Sequence, residues 1–260
     1  MPSDTTKLSI SAATHKGYSR EGNEDSFLVD NHIGGGDCDQ LSRELDIGEH
    51  GVVLAIADGL GGHKAGEVAS RYAIVQILDR LAEVDFGNDA AVIDFLNSIS
   101  HDLHQQMLVT PALFGMGTTI VMAVITTSSL TFINVGDSRG YLLDERGLQQ
   151  TTRDDVPPNA LSDTRRSGAI TQALGGMSPR TRLMPHIHRT VIPAGDWSLI
   201  LCSDGVSDFL SSEEIARIGR AGTSDAMTLV ESSLRAGGHD NISAIVLRSS
   251  VREQTYTSVC

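Results

Sequence analysis

The apolar positions of this chain recur with two different periods. "GVVLAIAD" (51–58) is an almost unbroken apolar run rich in β-branched residues, which predicts a buried strand stopping on Asp58. "DSFLVD" (25–30) predicts a shorter strand. Between 65 and 84, Val68, Tyr72, Val75, Ile77, Leu78 and Leu81 fall at helical spacing and predict a helix with one buried face. "DAAVIDFLNSISHDLHQQMLV" (89–109) repeats that pattern. From Gly117 onward short β-rich runs take over: "TTIVMAVIT", "LTFINVGD", "GYLLDERGLQQ", "HIHRTVIP" and "WSLILCSDG". Two further helices follow, "SSEEIARIG" (211–219), with a serine cap and glutamates in its first turn, and "SDAMTLVESSLRAG", ending on glycine. "NISAIVLRS" (241–249) predicts a last strand.

Strands and helices are interleaved without regular β-α-β alternation. That argues for an α+β class of antiparallel sheets covered by helices. No repeat and no Pro-, Gly- or Ser-rich linker divides the 260 residues, so one domain is expected over 9–249, with flexible ends at 1–8 and 250–260. The stretch 31–50 reads as an inserted surface loop. Its triple glycine, Gly34 to Gly36, could cradle phosphate, but no helix-periodic run opens behind it.

Composition narrows the function classes. The formal net charge is -13, with lysine only at positions 7, 16 and 64, so nucleic acid is not an expected partner. Cys38, Cys202 and Cys260 make no Cys-x-x-Cys pair, which suggests neither a disulfide framework nor a thiolate zinc site. The polar N-terminus lacks secretory-signal character and no apolar run reaches the ~20 residues of a membrane span. A cytoplasmic location is expected.

The chemistry gathers on aspartates. Apolar runs end on Asp58, Asp137 and Asp204, and another begins just after Asp240. A lone aspartate at a strand end is a turn former. Several at one sheet edge repel one another unless a cation compensates, and an oxygen-only set suits Mg²⁺ or Mn²⁺ rather than zinc. Asp58 then holds a metal, with the Gly59 carbonyl free to approach as a second ligand. Upstream, "SREGNED" supplies Arg20, Glu24 and Asp25. In isolation an arginine near paired carboxylates reads equally as a structural ion pair; beside a divalent cation it reads instead as a phosphate clamp. His101 and His104 on the second helix, and the histidines of "PHIHR", read as surface groups before metal ligands.

Taken in order, Arg20-x-x-Asn23-Glu24-Asp25, Asp58-Gly59-x-Gly61-Gly62, Gly117-Thr118-Thr119, Val135-Gly136-Asp137-Ser138-Arg139, Ser203-Asp204-Gly205 and Asp240-Asn241 resemble the metal-dependent protein phosphatase family, also called protein phosphatase 2C-like, in its bacterial branch. The resemblance spans residues 17 to 247. It implies a four-layer α-β-β-α sandwich, two central, mostly antiparallel sheets flanked by helices. It also implies a centre of two Mn²⁺ or Mg²⁺ ions, with room for a third. Asp58 would bridge the metals, Asp204 and Asp240 bind the first, and the Gly59 carbonyl the second. Glu24 and Asp25 would act through waters, and Asp137 would join Asp204 at a third ion. The reaction implied is hydrolysis of phosphoserine or phosphothreonine by a metal-bridging hydroxide, with Arg20 holding the phosphate. Phosphorylated proteins and a Ser/Thr kinase are the implied partners of a monomeric enzyme.

This chain departs from the family in two places. Leu60 stands where some members carry a histidine acid, and His63 fits the bacterial "GGH" pattern instead. The flap between the "GD" and "SDG" strands, about 153–180, is short, and the surrounding stretch carries Arg165, Arg166, Arg180 and Arg182. Solvated arginines and a phosphoprotein-facing surface are both open readings. Rival phosphotransfer signatures fail: Glu44 and Asp208 stand where Cys-x5-Arg needs arginine, and Glu67 replaces the Walker lysine. The alternatives left are a phosphatase-like binding module and an esterase for small phosphate esters. The ratio of phosphopeptide to small-ester hydrolysis separates the latter.

Overall fold

The computed structural model describes residues 7–48, 51–61, 65–158, 169–176, 181–221 and 225–250. In chain order it forms β1 (Lys7–His15), β2 (Asp25–Val29), β3 (His32–Gly35), β4 (Cys38–Asp46), β5 (Val52–Leu60), α1 (Ala65–Arg80) and α2 (Asp89–Val109). Short strands β6 (Gly117–Thr118) and β7 (Ile120–Ile125) lead into β8 (Ser129–Val135), β9 (Arg139–Asp144), β10 (Gly147–Gln150) and β11 (Leu174–Gly175). The chain continues through β12 (His186–Val191), β13 (Trp197–Cys202), α3 (Asp204–Ser207), α4 (Ser212–Arg220), α5 (Ala226–Arg235) and β14 (Ile242–Ser250). Among the described residues no helix is long and apolar enough to cross a membrane.

Two sheets stack face to face. One runs β10-β9-β13-β14-β1-β4, and the other runs β11-β6-β5-β7-β8-β12, with β2 joining β5 and β3 joining β2. Every described ladder is antiparallel. Leu8, Ile10, Leu54, Ile56, Leu199 and Leu247 fill the space between the sheets. α1 and α2 cover the outer face of the second sheet through Ala69, Ile74, Leu96 and Ile99. α4 and α5 cover the outer face of the first through Ile215, Leu229 and Val230. Each buried aliphatic side chain contributes about 1.5–3 kcal/mol, so all three clusters stabilise the four layers. The α-β-β-α architecture expected from the sequence is the one observed.

Three local expectations are corrected. The 31–50 stretch is not an inserted loop, because β3 and β4 occupy most of it and β4 pairs along the whole of β1, from Lys7 opposite Asp46 to His15 opposite Cys38. β4 is an edge strand whose residues alternate between exposed and half-buried, and only Leu41 and Leu45 in it are aliphatic. Its apolar signal is therefore too sparse to read. Of the triple glycine, Gly34 lies under the Phe27 ring, where a Cβ has no space.

The ordered chain also begins earlier than position 9. Leu8 and Ile10 in β1 are fully buried, and Ser250 still belongs to β14. Finally, α1 buries Ala65, Ala69, Ala73, Ile74 and Ile77; of the positions that periodicity picks out, Ile77 is fully buried, Tyr72 and Leu78 are partly buried against the same cluster, and Val68 is left at 37% exposure. The alanines allow close approach of helix to sheet. At α4 the expected cap is present: the Ser211 hydroxyl accepts from Glu214 N, and the Glu214 carboxylate accepts from Ser211 N at 2.9 Å.

Candidate metal centre

β5 does not stop at Asp58. It continues to Leu60, pairing with β7 through Ile56 and with β6 from Gly59. Asp58 sits in the gap between those two pairings, opposite Asp25 of β2. Like charges directly opposite across a ladder are destabilising, so this pair is a local conflict in the sheet. Its backbone is nevertheless firmly held. Thr119 N and Thr118 Oγ1 both donate to Asp58 O at 2.9 Å, and Asp58 N donates to Thr119 Oγ1 at 3.2 Å. The Gly-Thr-Thr segment is thus the clamp on the aspartate.

Neighbouring segments bring the other carboxylates to the same place. A cleft of about 160 Å³ is lined by Arg20, Glu24, Asp58, Asp137, Asp204 and Asp240, together with Gly59 and Ile170. Asp204 opens α3 just beyond β13, and Asp240 lies just before β14. Asp137 follows β8 in a turn where Gly136 has φ +100°, and a Cβ at Gly136 would lie 2.7 Å from the Thr119 side chain. Only glycine suits both demands. Gly59 is equally constrained: a Cβ there would run into the backbone of Gly66 and Glu24. The Glu24 carboxylate lies over Gly66 at the start of α1.

Asp25 stands behind this front row, only 1% exposed. The Ser243 hydroxyl donates to its Oδ2 at 2.6 Å. With that proton committed, Thr14 Oγ1 donates to Ser243 Oγ at 2.7 Å and Asn23 Nδ2 to Thr14 Oγ1 at 2.7 Å. Asp25 Oδ1 is buried with no hydrogen-bond partner among the described residues. The two asparagines of the quoted motifs are scaffold. Asn23 Oδ1 accepts from Asp25 N, and Asn241 Oδ1 accepts from Glu24 N.

Burial and mutual repulsion push the carboxylates toward their protonated forms. Burial, then Asp25 and Asp204, holds Asp58 well above the ordinary value. Burial, then Asp137 and Asp240, does the same to Asp204. Burial raises Asp25 to about 7 and Asp137 to about 6. Glu24 is raised too, chiefly by burial. Among the described residues Asp25, Asp58, Asp137 and Asp204 have no ion-pair partner. Arg20 donates from Nη2 to Asp240 Oδ2 at 2.7 Å, and that bond raises its own pKa.

The donor set therefore fits a hard divalent cation: all oxygen, under-compensated, with one buried oxygen lacking a donor. It is not a finished cage. Among the described residues no three carboxylate, imidazole or thiolate groups converge tightly enough to hold a metal by themselves. Mg²⁺ and Mn²⁺ sites keep several waters, which is consistent with such spacing.

Two residues at the site had no role in the sequence reading. Asp155 accepts from Gly136 N at 2.9 Å through Oδ2, and its own N donates to Gly136 O at 2.9 Å. Its Oδ1 meets Gln172 Nε2 and His186 Nε2, each at 2.9 Å. The residue thus fixes the turn that carries Asp137. Ile170 supplies an apolar lip. Neither stands in a pattern that periodicity exposes.

His186 and His188 lie on the edge strand β12, and His104 Nδ1 contacts Ser100 O within its own helix. Of the flap-region arginines, Arg182 pairs with Asp94 at 2.8 Å, while Arg165, Arg166 and Arg180 lie outside the described residues, as do Gly62 and His63.

A sandwich of two antiparallel sheets under two helical layers, with aspartates gathered at one end, defines a class of divalent-metal proteins. The protein phosphatase 2C family profile matches residues 30–240, and the chain belongs to that family. The serine/threonine protein phosphatase PstP of Mycobacterium tuberculosis is 32% identical over 256 residues, covering 93% of this chain and 45% of PstP, so the chain spans about half of that relative's length. Protein phosphatase PhpP of Streptococcus pneumoniae is 27% identical over 266 residues, covering 92% of this chain and 97% of PhpP. The crystal structure of the PstP catalytic domain in complex with two manganese ions superposes with a TM-score of 0.73 at 32% identity, covering 95% of this chain and all of that one.

Proposed function

We propose that the chain is a divalent-metal-dependent phosphatase of phosphoserine and phosphothreonine in proteins. The observation that carries the reading is the cleft where Asp25, Asp58, Asp137 and Asp204 crowd together without an ion-pair partner among the described residues. A structure tolerates such a cost where a cation offsets it. Two Mn²⁺ or Mg²⁺ ions, when bound, supply an activated water and positive charge for attack on a phosphoryl group.

The chain's own residues divide the remaining work. Asp58, clamped by Thr118 and Thr119, would lie between both ions, with Asp204 and Asp240 on the first and the Gly59 carbonyl on the second. Glu24 and Asp25 would hold ordered water. Asp137 with Asp204 offers a place for a third ion. Arg20, half exposed at the rim and oriented by Asp240, would hold phosphate oxygens. At position 60 a leucine can deliver no proton to the leaving oxygen.

The reading extends to phosphorylated proteins and a cognate Ser/Thr kinase as partners, a monomeric state and a cytoplasmic location. The test is hydrolysis of a phosphothreonine peptide with and without Mn²⁺, by the wild type and by Asp204→Asn. Metal-dependent release that collapses in the variant is expected. Activity that survives the substitution overturns the site assignment. Binding without turnover under any divalent cation makes the chain a phosphoprotein-binding module instead.

A further inference from the structure

α2 buries one stripe, Val92, Phe95, Leu96, Ile99 and Leu103, and Met107 extends it, partly buried against the same cluster. Its solvent face is polar at Asp94, His101 and Gln105, as a wetted helix face requires. The next position on that face is Leu108, 76% exposed, and its neighbour Val109 is 80% exposed. A short 3-10 turn, Pro111–Leu113, then leads to Phe114 at 85% exposure. These are the three most exposed large apolar side chains among the described residues. Core packing demands none of them. Large apolar groups set off the buried stripe and gathered in one place mark a surface that meets something else.

The three belong to one surface. Gly115 N donates to Met107 Sδ at 3.2 Å, so the chain folds back on the last turn of α2 and carries Phe114 with it. Gly115 makes that reversal with φ +81°.

That surface adjoins the metal cleft. Gly61 lines the cleft, and a Cβ on Gly61 would stand 3.4 Å from Met116 Cα and 3.6 Å from Gly115 O. Phe114 Cα is at most about 8 Å from Met116 Cα, two peptide units away. An extended peptide covers about 3.3 Å per residue, so one with its phosphoresidue in the cleft reaches Phe114 within roughly three to six residues.

The chemistry of the occupant follows from what is missing along this stretch. From Leu103 to Gly136 the sequence has no Asp, Glu, Lys or Arg. The segment therefore offers a charged side chain no partner, whereas the cleft next to it is ringed by carboxylates. Apolar side chains are what it can take up.

We propose that Leu108, Val109 and Phe114 form a docking surface for the phosphoprotein substrate, receiving bulky apolar side chains a few residues from its phosphorylated serine or threonine. The proposal rests on the phosphatase reading and names a preference within its substrate class.

The test compares phosphothreonine peptides that carry leucine and phenylalanine roughly three to six residues before, or after, the phosphothreonine with matching serine controls. With Mn²⁺ the wild type should favour one of the apolar peptides about tenfold in kcat/KM over its control, through KM. Leu108→Ser combined with Phe114→Ser should abolish that preference. The same variant should hydrolyse the serine controls and p-nitrophenyl phosphate as the wild type does and, both residues being exposed, should melt at the same temperature. Equal rates on apolar and serine peptides in the wild type, or a preference that survives the double substitution, overturns the docking surface. So does a wild type that sediments as a dimer while the variant sediments as a monomer, because a second copy then covers the patch. If neither the peptides nor p-nitrophenyl phosphate is hydrolysed with any divalent cation, the phosphatase reading has failed. Fluorescence anisotropy of the same peptides, labelled, then decides the docking surface by the same comparison.

Discussion

Buried carboxylates in this protein fall into two groups that lie a few residues apart. Asp154 receives Arg139 in a two-pronged bond, Nε to Oδ1 at 3.1 Å and Nη2 to Oδ2 at 2.6 Å, with both side chains nearly buried. Asp144 receives Arg146, whose hydrogen bonds hold its pKa below the ordinary value. Asp155 is met by Gly136 N, Gln172 and His186. Asp137, two residues from Arg139, has instead been pushed up to about 6, and Asp25 to about 7. The first group spends its charge on the scaffold and the second holds it in reserve. Among the buried aspartates, partner satisfaction rather than burial separates the scaffold group from the group at the proposed metal centre; Asp240, less buried, belongs to that centre and yet pairs with Arg20.

The sharpest way to break that comparison is to neutralise one member of each group. Asp204→Asn should cost ~10³-fold or more in kcat/KM on a phosphothreonine peptide, about 4 kcal/mol of transition-state stabilisation, because on the proposed reading it removes a metal ligand. The same variant without metal should melt no lower than the wild type, since a repelling charge has gone. Asp154→Ala should do the opposite. It leaves Arg139 buried and unpaired, at a cost of roughly 3–5 kcal/mol in denaturant unfolding, whether or not metal is present. If Asp204→Asn destabilises the metal-free protein as much as Asp154→Ala, the two groups are one.

Smaller effects refine the picture. Mn²⁺ at a hundred times its Kd should raise stability by about 2.7 kcal/mol, and thermal melting should show that gain vanish in Asp204→Asn. The pH dependence should change sign with the metal. Asp25 and Asp137 titrate near 7 and 6 in the folded state against an ordinary 3.8, so between those values the native state binds more protons than the unfolded chain. Metal-free stability is therefore highest in acid and falls as pH rises from about 4 through 7, by on the order of 1 kcal/mol per unit. With Mn²⁺ the trend should reverse, because binding requires deprotonated carboxylates. Melting curves at pH 5, 6, 7 and 8 in EDTA and in Mn²⁺ check both limbs. Thr118→Val removes one of the two bonds on the Asp58 carbonyl, and a loss of about 1 kcal/mol is expected in chemical denaturation.

Much of this was legible before any coordinates. The apolar runs at 52–60, 120–125, 129–135, 197–202 and 242–250 are strands because both of their faces are covered, and such strands announce themselves. The motif aspartates line one cleft because they border those strands. What escaped was the edge. β4 is half polar by virtue of its position, so neither β-branched content nor a strong alternation marks it. β1 did carry a signal, Leu8-Ser9-Ile10-Ser11-Ala12 in strict alternation, obscured by its small and polar residues. At the site, the pairing of Arg20 with Asp240 and the role of Asp155 depend on contacts 220 and 19 residues apart, which no local pattern encodes.

The position of β14 has a consequence for how the molecule is made. It is the last strand in the described chain, yet it lies inside its sheet, between β13 and β1. Until residues 242–250 leave the ribosome, β1 and β13 have no common neighbour and the first sheet stays split in two. Native pairing of Lys7 with Ser250 must wait until residue 250 has been synthesised. Asp240 joins the other aspartates only at that step, so the cleft is completed last. Capture of a divalent ion would then mark the completion of folding rather than its beginning.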